Sequence, residues 1–308
     1  MSVQITEAMV QQYRATVYHL AQQKGSKLRS AVRVETITGK NAFFDQLGAT
    51  AARRRTSRHA DTPRMDTPHN RRRVSVADYD WADLIDNEDQ VRLLMDPASA
   101  YAEAAAMAMG RAIDDAIIEA HDATAYTGET GSTSTSYDTN MDVGATTVWP
   151  GVTPAASGLN VAKLIEAGRL LAAGNIDPDE PRWLVVNGRA IASLMKDTRV
   201  NSHDYNTLKP LATGKIVQFY GFNFLPTERT VNYDASTDKL PFWAGSPGTA
   251  GMLLAVGKDI SGKISERPDK NYSTQVFSSM TVGATRMEEA RCGRILSDKD
   301  GGPEGNLD

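Results

Sequence analysis

Between Arg53 and Arg73 the chain carries eight arginines (53, 54, 55, 58, 64, 71, 72 and 73) against two acids, Asp61 and Asp66. Between Asp78 and Asp89 it carries six acids and no base, so a net charge of +6 gives way to −6. A strip with so few large apolar side chains cannot offset the entropy of ordering itself. It is either disordered or held against another surface. Its ends nevertheless alternate as a strand does, with Val74, Val76, Tyr79 and Trp81. Turn chemistry at Thr62-Pro63, Thr67-Pro68 and Asn70 lets it double back. The pattern predicts a β-ribbon that projects from the body, is stabilised by a neighbouring subunit, and carries its two arginine clusters on opposite strands.

Guanidinium groups brought that close repel by about 1 kcal/mol per pair at about 4 Å even in water, so they need acceptors. Three readings of the clusters remain open: a solvated loop, a nucleic-acid contact, and ion pairing to a neighbouring subunit. No aromatic interleaves the arginines in sequence as a base-stacking site requires, which favours ion pairing. The candidate contact residues are Arg53, Arg54, Arg55, Arg58, Arg71, Arg72 and Arg73. Their candidate acidic partners, in cis or on a neighbour, are Asp78, Asp80, Asp83, Asp86, Glu88 and Asp89.

At 308 residues and 41% hydrophobic, the chain can bury one large core or two modest ones. No apolar run approaches the roughly 20 residues of a membrane span, and the first ten residues lack the basic-then-apolar order of a secretory signal. The lone Cys292 excludes an intrachain disulfide framework and a cysteine-based zinc cluster. A net charge of −4 argues against a general coat for nucleic acid.

The remaining segments read as a mixed α+β chain. Thr6 to Lys24 has helical apolar spacing with a stop at Gly25, followed by an extended tether over residues 26–44. Asp96-Pro97 opens a long Ala-rich helix to Ala123, about 40 Å in length, interrupted only by Gly110. Gly110 is a candidate hinge; the competing reading is close packing against a strand. Residues 124–157 turn to Thr, Ser and Gly, with a hairpin expected to end near Val148 and Trp149. An α/β unit follows: a helix over 160–173, a buried strand over 182–186, a short helix capped by Asn187, and a strand over 214–227. Strands are expected at 252–256, 260–266, 272–287 and 291–296, then a polar, disordered tail over 298–308.

Catalytic signatures are missing. Thr213-Gly214-Lys215-Ile216 lacks the upstream glycine and the hydroxyl of a phosphate-binding loop. The five histidines (19, 59, 69, 121 and 203) are scattered without a metal-ligand spacing. Adjacent carboxylates such as Asp114-Asp115 and Glu288-Glu289 point apart on a helix or strand and cannot converge on one substrate. Neither catalytic residues nor a cofactor or metal site is expected.

Several strings resemble one family of tailed-phage major capsid proteins. They are His59-Ala60-Asp61-Thr62-Pro63, Asn70-Arg71-Arg72-Arg73-Val74, Trp81-Ala82-Asp83-Leu84-Ile85, Asp96-Pro97, Asp177-Pro178-Asp179-Glu180-Pro181-Arg182, Val185-Val186-Asn187 and Asp204-Tyr205-Asn206. The element order is similar to the Hong Kong-type capsid fold over nearly the whole chain. The resemblance implies an N-terminal arm (1–47), an extended loop (48–90), a spine helix with peripheral domain (91–157), an axial domain (158–258), peripheral return strands (259–297) and a tail (298–308). It implies a structural protein, not an enzyme, that self-assembles in the host bacterial cytoplasm into an icosahedral head shell around a double-stranded DNA genome. The implied partners are further copies of the chain in pentamers and hexamers, a separate scaffolding protein, a portal protein, an optional decoration protein, and packaged DNA without sequence-specific contact. No membrane is implied. An encapsulin-like compartment and an oligomeric α/β enzyme are the alternatives.

Overall fold

A computed structural model describes residues 22–59, 61–62, 64–85, 98–197, 200, 216–230, 232–246, 248–249 and 251–302. The expected N-terminal helix therefore lies almost wholly outside the described residues. So do Asp96-Pro97, Asp204-Tyr205-Asn206 and the last six residues. The chain forms two units, one from residues 1–26, 78–113 and 258–282, the other from 27–77, 114–257 and 283–308.

The second unit is built on a six-stranded sheet, in which strand order is β7-β14-β11-β8-β10-β9. These strands are β7 (Asp142–Val143), β8 (Arg182–Val186), β9 (Gln218–Phe219), β10 (Phe222–Pro226), β11 (Thr237–Ala244) and β14 (Cys292–Asp298). Strand β8 runs parallel to β10 and antiparallel to β11, with pairings such as Leu184 with Phe224 and with Phe242. Its last three residues are buried, as a short apolar run bounded by Pro181 and Asn187 requires. The helices α2 (Val161–Ala173) and α3 (Gly188–Lys196) supply Leu164, Leu171 and Leu194 to a core with Leu184, Phe222, Leu240, Phe242 and Ile295. Each helix starts at an asparagine cap: Asn160 accepts from the Lys163 amide and Asn187 from the Ala190 amide, both at 2.8 Å. A cap of this kind contributes about 1 kcal/mol.

The same unit holds a four-stranded sheet of order β2-β3-β5-β6, from β2 (Asn41–Leu47), β3 (His69–Ser75), β5 (Ala125–Thr127) and β6 (Thr133–Thr135). It also holds β1 (Arg33–Thr36), which runs parallel to the opening residues of β12 (Met252–Arg267). In the first unit the rest of β12 neighbours β13 (Ser273–Arg286), which neighbours β4 (Ala77–Ile85). The long helix α1 (Ala98–Asp122) passes from the first unit into the second without a break at Gly110.

Several expectations are corrected. The arginine clusters do not lie on opposite strands: β3 pairs with β2, placing Arg71 opposite Asp45 and Arg73 opposite Phe43, while residues 53–58 form no strand. The hairpin in the Thr/Ser-rich region is β5–β6, well before Trp149. The strand expected up to Thr227 is broken by a turn at Tyr220-Gly221, with φ of 49° and 75°, into the antiparallel pair β9–β10. Residues 252–267 are one strand, not two. The start of the tail is tied down: Asp298 donates to Ser157 O, Lys299 to Ser236 O, and Gly302 O accepts from Gly158. The last strand, β14, lies between β7 and β11 in the six-stranded sheet.

Candidate assembly interface

The candidate arginines separate into three environments. Arg53, Arg54, Arg55 and Arg58 are exposed on a segment outside any sheet, and Arg55 Nε donates only to Ser57 O at 2.8 Å. None of the four pairs with a carboxylate among the described residues. Arg64 and Asp66 stand 3.4 Å apart and about nine-tenths exposed, a pair of little energetic weight.

On β3, strand alternation splits the Arg71-Arg72-Arg73 triplet between two faces. Arg71 forms a two-point contact with Asp45, with Nε to Oδ1 at 2.6 Å and Nη2 to Oδ2 at 3.3 Å. That hydrogen bond holds the Asp45 carboxyl below its ordinary range. Arg72 points inward and is 5% exposed. Its Nε and Nη2 donate to Met287 O at 3.2 and 2.9 Å, and Nη2 reaches Glu289 Oε1 at 3.1 Å. Burial pulls the Arg72 pKa down, opposed by the Glu289 charge. The other oxygen of Glu289 accepts from the wholly buried Arg286 at 2.7 Å. Arg286 Nη1 in turn donates to His121 O and, at 2.6 Å, to Ala123 O, where α1 ends. A cation there completes the orphan carbonyls of the helix terminus and suits its dipole. This arginine–glutamate–arginine triad ties β3 to the end of α1. Arg73 points outward, its guanidinium 4.6 Å from the Tyr126 ring centroid.

Of the candidate acids, Asp78 accepts from Thr281 Oγ1 at 2.6 Å, Asp83 accepts from the Leu84 amide at 2.8 Å, and Asp80 is exposed. Asp86, Glu88 and Asp89 lie outside the described residues. Within the chain, the described acids of this run form no ion pair with the candidate arginines; Asp45 and Glu289 take that role.

At Gly110 an added Cβ would stand 2.5 Å from Gly25 C, 2.6 Å from Gly25 Cα and 2.7 Å from Ser26 N. The glycine thus lets the backbone of Gly25 and Ser26 rest directly on α1. One turn further along, the fully buried Asp114 accepts from the Lys27 amide at 3.0 Å and the Leu28 amide at 3.1 Å. From the sequence, Asp114 is read only as unable to converge with Asp115; its place on one face of α1 with Gly110, Ile117 and Ile118, four before, three after and four after it, is the signal that marks it as buried. A second charged cluster joins Asp122 to His121, Lys239 and Arg294, with Asp142 accepting from Arg294 at 2.8 Å and from Tyr137 at 2.9 Å. Burial disfavours the Asp122 carboxylate, yet hydrogen bonds from His121 and Lys239 hold its pKa far below the ordinary range. These side chains are consumed by one another at the end of α1, which is an arrangement for fixing elements, not for turning over a substrate.

No described helix is long and apolar enough to cross a membrane. No curated protein matches the chain. Among solved structures it is similar to the capsid of cyanophage P-SCSP1u (TM-score 0.70, 15% identity, 94% of this chain and 93% of that one). It is also similar to the cyanophage Pam1 capsid (TM-score 0.69, 13% identity, 96% and 98%) and to the capsid of Ralstonia phage GP4 (0.69, 11%, 94% and 95%). These likenesses carry the fold, which is the Hong Kong-type capsid fold. A family model described as phage capsid protein matches residues 5–299. Spanning nearly the whole chain, that match shows that it belongs to the phage capsid protein family, as a structural, non-enzymatic component of the virion head.

Proposed function

We propose that this chain is the subunit of a closed icosahedral shell around double-stranded DNA, and that its charged ribbon ties each subunit to the next. In this reading residues 48–90 form the extended loop, residues 1–47 the arm, and the sheet around β8 the core of the axial domain at the centres of pentamers and hexamers. A scaffolding protein and a portal protein are the proposed assembly partners, with a decoration protein as an optional one. The observation that carries the reading is the set of four exposed guanidinium groups on Arg53, Arg54, Arg55 and Arg58, which meet no carboxylate among the described residues. A monomer gains nothing from holding four like charges together. A neighbour presenting its acidic run, Asp78 to Asp89, gains charge-assisted hydrogen bonds that strengthen as the interface excludes water. Stable shells need each subunit to bury well over about 2,000 Å² against its neighbours, and a projecting ribbon supplies such area without enlarging the body.

Reversal of all four arginines to glutamate tests this. Assembly should be lost while the circular dichroism of the free subunit is unchanged, because none of the four supports the fold. Shells forming at the wild-type concentration would refute the ion-pairing reading.

A further inference from the structure

One half-buried guanidinium meets no acceptor among the described residues. On the outer face of the β2-β3-β5-β6 sheet, Phe43 lies opposite Arg73, and Arg73 lies opposite Tyr126. Beside them Arg71 is engaged by Asp45. Arg73 is engaged by nothing polar: its Nε is buried without a partner, and among the described residues neither a hydrogen bond nor an ion pair reaches it. The aromatic ring of Tyr126 covers one face of the guanidinium. The β5–β6 turn closes another side, since a Cβ on Gly131 (φ +65°) would stand 2.7 Å from Arg73 Cδ and 2.9 Å from Phe43 Cε1. Phe43 and Tyr126 remain 43% and 41% exposed, so the walls are apolar and half open.

Stacking on an aromatic face leaves the in-plane N–H fork of an arginine free. That fork matches a carboxylate in two-point geometry, and apolar walls strengthen the contact by excluding water. We propose that Arg73 is the receptor for a carboxylate of a second copy of this chain, and that the carboxylate is Asp80. The proposal rests on the reading that one subunit's ribbon meets the next subunit's acidic run, and it names the partner residues. Among the described acids of that run, Asp78 is occupied by Thr281 and Asp83 by the Leu84 amide, whereas Asp80 is exposed and unpaired. Asp80 also shares the exposed side of β4 with Ala82 and Leu84, the latter 44% exposed, which gives Phe43 and Tyr126 apolar surface to cover. Because β3 of one copy meets β4 of another, the contact is head-to-tail and propagates around a ring.

The test is a charge exchange read by sedimentation velocity and electron microscopy of the full chain. Arg73→Asp and Asp80→Arg should each remove the fast-sedimenting particles, and the double variant should restore them. Asp80 is exposed, so D80R keeps the test valid if R73D fails to fold, and Arg73→Lys, which keeps the charge and loses the fork, should weaken assembly. Normal assembly of D80R, or folded single variants without rescue in the double, overturns the proposal. Binding of poly-dT that disappears in Arg73→Ala, with the exchange without effect, would make the face a phosphate site and also overturn it. The fourfold reversal at Arg53, Arg54, Arg55 and Arg58 separates the two failures. If it blocks assembly while the exchange does nothing, the ribbon reading stands and the Arg73–Asp80 pair falls.

Discussion

Replacing Gly110 by alanine sets two physical effects against each other. On helix propensity alone, Gly→Ala in the interior of α1 stabilises by about 1 kcal/mol, and a glycine that served only as a hinge would show that gain. The added methyl carbon, however, would stand 2.5, 2.6 and 2.7 Å from three backbone atoms of Gly25 and Ser26. Backbone cannot swing aside as a side-chain tip can, so the overpacking cost lies at the upper end of its usual range, about 3 kcal/mol. The net expectation is a loss of about 2 kcal/mol, or displacement of the Gly25–Ser26 backbone from α1. Urea denaturation of the unassembled subunit measures the first, as a lower midpoint at constant slope. Proteolysis near residues 22–28 measures the second, since Arg111 Nη1, which donates to Gln22 Oε1 at 2.8 Å, would lose that contact. A stabilisation of about 1 kcal/mol with residues 22–28 still protected would refute the close-packing account and return Gly110 to the hinge reading.

Three further outcomes are expected. Asp114→Ala strips the acceptor from two backbone donors, Lys27 and Leu28, and should cost about 2–4 kcal/mol, with faster hydrogen exchange at those amides. Glu289→Gln leaves Arg72 and Arg286 facing each other without the shared carboxylate, and should cost about 3 kcal/mol in thermal or chemical unfolding. Lys163, fully buried with its Nζ on Ser157 O and Leu296 O, has its pKa pulled down to about 7 by desolvation, with Asp298 opposing. Between that value and an ordinary lysine pKa the unfolded chain holds the extra proton. Stability attributable to this group therefore rises with pH from about 7 to about 10, at up to about 1.4 kcal/mol per pH unit. Denaturation across that window, compared with Lys163→Met, should show a steeper rise in the wild type; parallel curves would contradict it.

The elements with local punctuation were legible in the sequence. Strand β8 has the bounds expected from Pro181 and Asn187, and Asn187 caps the short helix it is expected to open. Elements whose ends depend on distant partners were not legible. The pattern separates strands at 252–256 and 260–266, yet β12 runs through the gap, flanked by β1 before it and β13 beyond. Tyr220 adopts a positive φ that its side chain gives no reason to expect. The arginine triplet shows the same limit at the site. As a charge run it reads as one patch, but period-two alternation sends Arg72 into the core with Val74 and turns Arg71 and Arg73 outward. Its acceptors, Asp45 and Glu289, are 26 and 217 residues away in sequence, beyond the reach of local pattern.

Electron microscopy of the purified full chain, produced alone and with the proteins encoded beside it, tests the central claim of self-assembly most directly. Closed shells, tubes or capsomer rings are the predicted result. Discrete small oligomers under every condition would contradict it.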